Sequence, residues 1–595
     1  MSITLATLLL VLPSAVRDGA PLFVDVSEHA LPGVSTLSGS PDKSWIMEVN
    51  GGGIVLADFD GDSDIDLVIV DGSTVERAEA GKAGKPPRLF QNDGNGNFTA
   101  AGEAWSMSGG RWGTGGAAGD VNGDGFPDLV VTQWGQDRLF LNEAGKGFRE
   151  VTETAGFVGE RWGTSAAFMD FDGDARLDLV VINYLAFDTK AIGRKGSAGC
   201  QWKGHDVMCG PEGLVPVHDQ LYRGNGDGTF EEVSAKTGFR ADRAGFGLGV
   251  MTLDYDSDGD TDVYVTNDST PNYLWENQGD GSFLELGFER GVARDSNGKE
   301  QAGMGIACAD WNQDGRGDLF VTNFSGEANA LYRSSRKTGF RERSARVGLG
   351  GPSLTRLGWG TGFGDFDLDG HLDLYVMNGH VYPAADMAGT DTSYAQPDYA
   401  FFGDGTSFDT RALYAGPDRC SRAAAMADLD HDGDLDLIAL AVEGPVRVLR
   451  NECSNKGHWL ELSLIGTRCN REAIGARVEI INGERRRWAE MRTSGGYQSS
   501  VPARVHFGLG ELESVDQLIV HWPNGEVTVT GPHVANQRLT IIQPPIEEEG
   551  APKNSDEARE VSPQNEPTSD QDGEFVESAR ALSNTNDVAG IGREA

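Results

Sequence analysis

The chain has 595 residues, with 91 acidic side chains against 50 basic ones and a formal net charge of −41. So large an acidic excess argues against nucleic acid and anionic membrane surfaces as partners, because both are polyanions. The length exceeds what one ordinary hydrophobic core fills, so several domains or a repeat array are expected, and 38% hydrophobic residues suffice for a packed interior.

At the start, Ile3 to Pro13 is an apolar run of signal-peptide length, too short to span a bilayer. No Lys or Arg precedes it and no clean A-x-A site follows, so cleavage is placed near Ala15 or Ala20. Residues 1–20 are therefore expected to be a signal peptide, which implies a secreted protein, extracellular or in the cell envelope. No cysteine follows closely, so a lipid anchor is not expected. No other run is long and apolar enough to cross a membrane.

From residue 58 onward one short acidic loop recurs seven times. Its clearest copy is Asp254-Tyr-Asp256-Ser-Asp258-Gly259-Asp260-Thr-Asp262, with carboxylates at positions 1, 3, 5 and 9 and glycine at 6. The other copies place Asp58, Asp60, Asp62 and Asp66; Asp120, Asn122, Asp124 and Asp128; Asp170, Asp172, Asp174 and Asp178; Asp310, Asn312, Asp314 and Asp318; Asp365, Asp367, Asp369 and Asp373; and Asp428, Asp430, Asp432 and Asp436. Oxygens spaced by two on a tight turn converge on a hard cation, which takes six to eight of them at roughly 2.3–2.6 Å. The expected cofactor is Ca²⁺, up to seven ions, in a structural role. Asp residues also serve as plain turn formers, but a ligand pattern kept in register seven times exceeds that need. An EF-hand is excluded. Its bidentate Glu at position 12 is replaced by Ile69, Val131, Val181, Val265, Val321, Val376 or Ala439, each inside an apolar strand-like run.

Loop starts are 62, 50, 84, 56, 55 and 63 residues apart. Before each loop, small residues alternate, as at Gly51 and Gly53 or Gly358 and Gly360, which fits a strand crowded on one face. After each loop comes the apolar strand, then a strand with a pair such as Leu139-Phe140, and usually a closing strand with Phe98, Phe148, Phe230, Phe283 or Phe340. Four strands per repeat and seven repeats predict an all-β, seven-bladed β-propeller over 21–455. The last unit lacks its closing strand, and Phe23-Val-Asp-Val26 is expected to supply it.

The long interval between the third and fourth loops carries an insertion between Leu185 and His218. Cys200 and Cys209 within it read as a local disulfide, with a metal site as the alternative. Cys308 and Cys420 read as buried thiols; no pairing is assigned to them or to Cys453 and Cys469. A second excursion runs from Val381 to Pro397. Both excursions should emerge on one face, and Trp202, His380 and Tyr382 are the candidate partner contacts there. Arg316-Gly-Asp318 spells an adhesion tripeptide, but Asp318 belongs to the fifth loop.

The repeats resemble the FG-GAP or VCBS type, as in the integrin α-subunit propeller. The stretch from Gly358 to Tyr382 is similar to the cartilage acidic protein family. His458-Trp-Leu460, Asn470-Arg-Glu-Ala-Ile-Gly-Ala-Arg-Val478, Ser494-Gly-Gly-Tyr497, His506-Phe-Gly-Leu-Gly510 and Trp522-Pro-Asn-Gly525 resemble its ASPIC/UnbV domain. That places a small antiparallel β domain at 456–543, in keeping with the alternation in Trp459-Leu-Glu-Leu-Ser-Leu. Residues 544–595, acidic and poor in aromatics, are expected to be a disordered tail. The resemblance implies an extracellular calcium-binding propeller with adhesion-like or matrix-like roles and supplies no ligand; the function expected is a secreted module that binds or adheres to an extracellular protein or glycan. The alternative is a propeller-based carbohydrate-active enzyme, a lyase or hydrolase. Neither G-x-S-x-G nor H-E-x-x-H occurs, and no catalytic residue is assigned.

Overall fold

The computed structural model describes residues 23–545 apart from 198, 336–338 and 454–456. The predicted signal segment and all but two residues of the predicted tail lie outside the described residues.

The apolar run after each acidic loop is a strand, as its branched and aromatic residues favour. These strands are Asp66–Val70, Asp128–Gly135, Asp178–Asn183, Asp262–Asn267, Asp318–Val321, Asp373–Asn378 and Asp436–Ala441. Nearly all their residues are buried, because each strand lies inside a sheet that is covered on both faces. That is why the runs do not alternate between apolar and polar. In the fourth unit, Gly247–Leu253, Asp262–Asn267, Tyr273–Asn277 and Phe283–Glu285 pair in order, all antiparallel. The same four-stranded order recurs along the chain. The first strands neighbour one another in a closed cycle, with Ser421–Ala427 returning to Gly53–Ala57. This is a β-propeller, and its cores lie between adjacent sheets: Val55, Val68 and Leu89 of one pack against Leu129, Phe140 and Phe148 of the next.

The closing strands explain the recurring phenylalanine. The aromatic at loop position 2 of one unit meets the closing Phe of the following unit: Phe59 with Phe148 at 5.4 Å, Phe171 with Phe283 at 5.8 Å, Trp311 with Phe408 at 5.0 Å. In the last sheet that Phe comes from the other end of the chain. Phe23–Asp25 pairs antiparallel with Arg447–Asn451, and Phe23 sits 5.4 Å from Phe366. The expected closing strand is therefore present, and it covers an edge that would otherwise expose unpaired backbone.

Residues 458–542 form further sheets. His458–Ile465 pairs with Val505–Gly510 and Gln537–Ile542, while Arg477–Asn482 pairs with Arg485–Glu490 and Gln517–His521. Leu462, Val478, Leu518 and Trp522 are in its own core. One stretch of this region leaves that core and enters the propeller axis. Ser500 pairs with Val55, the Gln498 amide donates to Ser165 Oγ (3.2 Å), the Thr252 amide donates to Ser494 Oγ (3.1 Å), and Gly496 bridges Ile306. Tyr497 is fully buried, its ring 4.9 Å from Trp359 and its hydroxyl donating to Asn50 O (3.1 Å). This plug explains part of the crowding expected from the small residues: a Cβ added at Gly53 would come within 2.0 Å of Gln498 O.

The far end of the axis is closed by apolar side chains. Ile46, Met47, Phe187, Ile192 and Met208 share one core with Trp112, Trp162, Trp359 and Tyr497. Phe187, Ile192 and Met208 belong to the 185–218 insertion, which thus lies across the disc. Cys200 and Cys209 are bonded. Cys308, Cys420 and Cys469 are thiols.

Candidate metal centres and the face they share

In every acidic loop the ninth residue is the first of the following strand, and its carboxylate pins the turn to the sheet. Asp262 Oδ2 accepts from the Tyr255 amide (3.1 Å) and Oδ1 from the Asn277 amide (2.8 Å). Asp66, Asp128, Asp178, Asp373 and Asp436 repeat both bonds with their own neighbours. The fifth loop differs: Asp318 Oδ2 accepts from the Asn312 side chain (2.7 Å). Position 1 holds the turn itself. Asp365, for example, accepts from the Asp369 and Gly370 amides at 3.0 and 2.8 Å. A carboxylate oxygen has two lone pairs, so these bonds leave room for a cation.

Five loops bring three carboxylates to within 4.8 Å of one another: Asp58, Asp60 and Asp62; Asp170, Asp172 and Asp178; Asp254, Asp256 and Asp262; Asp365, Asp367 and Asp373; Asp428, Asp430 and Asp432. The other two carry Asn122 and Asn312 at position 3. Position-3 oxygens of Asp172, Asn312, Asp367 and Asp430 are buried without a hydrogen-bond partner. Orphaned oxygens converging beside other carboxylates are what a hard cation would satisfy, so the donor set fits calcium.

Burial pushes the ninth-position carboxyls far above the ordinary range, to about 8 for Asp66, Asp128 and Asp318, and well up for Asp178, Asp262, Asp373 and Asp436. Position 1 is raised by burial too, to about 6 at Asp170 and about 8 at Asp365. At Asp254, also raised to about 6, the charge of Glu490 adds to burial. Such groups ionise readily only beside positive charge.

The loops share one face, and the 458–542 region touches it at several points. Glu472 Oε2 accepts from the Asp120 amide (2.8 Å), Arg504 donates to Ser63 O (2.7 Å), His506 bonds Gly433 O (2.9 Å), and Arg538 reaches Asp428 Oδ2 (2.9 Å). His431, inside the seventh loop, meets Asp64 of the first at 2.5 Å. Asp318 is fully buried, so the Arg316-Gly-Asp318 tripeptide is not presented as an adhesion site.

On the other face the two excursions meet. Lys203 pairs with Asp391, and His205 Nε2 lies 3.2 Å from Ala388 O. Trp202 stands 4.5 Å from His380 and 5.8 Å from Tyr382, ring to ring. The three predicted contact residues are thus neighbours, but His380 requires a correction: it is fully buried. Its Nδ1 accepts from the Tyr382 amide (3.0 Å), its Nε2 lies 3.2 Å from Ser325 Oγ, and burial pushes its pKa down to about 3. It is a neutral structural hydrogen-bonder under Trp202. Trp202 and Tyr382 are half-buried and keep a surface.

A second recurring polar position escaped the sequence reading. Just before the third strand, Asp219, Asn272, Asn329 and Asp398 each accept from a backbone amide at or just beyond the end of the second strand, at 2.7–2.9 Å. The signal was visible as Asp or Asn ahead of pairs such as Leu221-Tyr222.

A family model for FG-GAP-like repeats matches residues 58–131, 120–181, 206–265, 254–321 and 310–376, and one for ASPIC and UnbV matches 466–548. Cartilage acidic protein 1 of Xenopus tropicalis is 26% identical over 331 residues, covering 53% of this chain and 48% of the relative. The Homo sapiens protein of that name is 27% identical over 334 residues, covering 53% and 47%. The chain spans about half the length of the curated relatives it matches. Among solved structures, an Agrocybe aegerita protein described as recognising non-reducing terminal N-acetylglucosamine aligns with 66% of this chain and 85% of its own, at TM-score 0.36 and 15% identity.

Proposed function

Because the chain belongs to the FG-GAP-repeat proteins that carry a C-terminal ASPIC and UnbV domain, we propose that it is a secreted, calcium-stabilised propeller that binds an extracellular protein or glycan. Calcium is the ion that the loops suit. Hard oxygen donors, flexible turns and no soft ligand favour it over transition metals. In this reading the ions hold together carboxylates that would otherwise repel, and they carry no chemistry.

The observation that carries the binding role is the capped axis. Tyr497 enters from one side and the insertion covers the other, so the axis offers no through-channel and a large partner is met on the outer surface. Trp202 and Tyr382, joined across two excursions that the Lys203–Asp391 pair ties together, are the aromatic platform on that surface. An aromatic face beside a cation suits a sugar ring or a peptide side chain. The test is an array of extracellular glycans and matrix proteins, probed with the full chain in calcium and in chelator. Binding should require calcium and be lost in Trp202→Ala while the melting curve moves only slightly. Cleavage of an arrayed glycan would instead favour the enzyme reading.

A further inference from the structure

We infer that one side chain in each repeat, the fourth residue of the third strand, sets the calcium affinity of that repeat's loop, and that the loops therefore fall into two classes. The inference rests on the calcium reading above.

Strand register identifies the position. Phe90, Phe140, Tyr222, Trp275, Tyr332, Phe401 and Leu449 each pair with the residue following the ninth-position aspartate. The next residues are Gln91, Leu141, Arg223, Glu276, Arg333, Phe402 and Arg450. Loops three, five and seven thus receive an arginine from the same structural place. Arg223 contacts Asp172 Oδ2 at 2.6 Å and Asp174 Oδ2 at 2.9 Å. Arg333 contacts Asp314 Oδ2 at 3.0 Å, and Arg450 contacts Asp430 Oδ2 at 3.1 Å. Each loop takes a second guanidinium as well: Arg176 on Asp174, Arg316 on Asp314, Arg538 on Asp428. Among the described residues, no Lys or Arg forms an ion pair with the ligand carboxylates of loops one, two, four and six.

The arginines occupy these loops only in part. Asp172, Asp314, Asp428 and Asp430 each give Oδ2 to a guanidinium and keep a buried Oδ1 with no partner. A fixed positive charge that already neutralises one carboxylate oxygen raises the cost of adding a divalent ion beside it. The site stays a site, with weaker affinity. In the first unit Gln91 Nε2 donates to Asp60 Oδ2 from the same place, without a charge.

Calorimetric titration of the chelator-stripped full chain with calcium reads this directly. The wild type should show a tight class and a weak class in the ratio four to three. Arg223→Gln, Arg333→Gln and Arg450→Gln should each tighten one weak site at least tenfold. Gln91→Arg should weaken one tight site by as much, and Arg149→Gln, at an exposed arginine outside the loops, should change nothing. Circular dichroism confirms that each variant is folded. A single class in the wild type, or arginine variants that leave the weak class in place, overturns the inference and leaves the calcium reading standing. No calcium uptake by the wild type overturns both.

Discussion

The two ends of the propeller axis are built on opposite principles. At one end, acidic loops carry carboxylates that repel one another, and the 458–542 region bonds to them through Glu472, Arg504 and Arg538. At the other, Trp112, Trp162, Phe187 and Met208 close the disc by apolar packing. The first end depends on ionic conditions, and the second should not. Stability that responds to chelator belongs to the loop face, and stability that responds to side-chain volume belongs to the lid and the plug.

The largest effect is expected where closure and packing coincide. Deleting residues 23–26 removes the closing strand and a fully buried Phe23; loss of that ring alone costs about 3–5 kcal/mol. Denaturant unfolding should show at least that, equally in calcium and in chelator. Tyr497→Ala comes next, at about 3–5 kcal/mol by the same argument, whereas Tyr497→Phe should cost only about 1 kcal/mol for its single hydrogen bond. If Tyr497→Ala melted like the wild type, the axis would not be a core.

Within one loop, Asp262→Ala and Asp256→Asn separate pinning from metal binding. Asp262→Ala leaves two backbone amides without an acceptor, so about 2–4 kcal/mol should be lost in chelator, and more in calcium, where a ligand goes too. Asp256→Asn should be felt in calcium and be nearly silent in chelator. The reverse pattern would mean that the roles are exchanged.

The pH response has a fixed sign. In the metal-free protein Asp66, Asp128 and Asp318 titrate at about 8, against about 4 in an unfolded chain. The folded state therefore holds more protons between those values, and metal-free stability should fall as pH rises from about 4 to about 8. Bound calcium supplies the missing positive charge and should flatten the curve. Melting in chelator at pH 5 and pH 8 checks it. The smallest effect on stability is expected at Trp202→Ala, about 1 kcal/mol for a half-buried ring.

Legibility in the sequence followed the range of the interaction. The acidic loops were readable because all their donors lie within nine residues. The closing strand was readable because one end of the repeat array lacks what the other end has to spare. The plug was not: Ser494-Gly-Gly-Tyr497 carries no local mark of its destination, and Tyr497 meets Asn50 across a separation of 447 residues. The glycines at Gly53 and Gly115 announced crowding without naming the crowding chain. His380 was misplaced on the surface because nothing local reveals that Trp202 covers it. The arginines on the loops became visible only through strand register, since Arg223 lies 49 residues from Asp174.

The most direct test of the account is the melting temperature of the full chain at pH 7.5 in excess calcium and in excess chelator. Repulsive, buried carboxylate clusters predict a fall on chelation of about 10 °C or more, reversed by adding calcium back. Superimposable curves would contradict it.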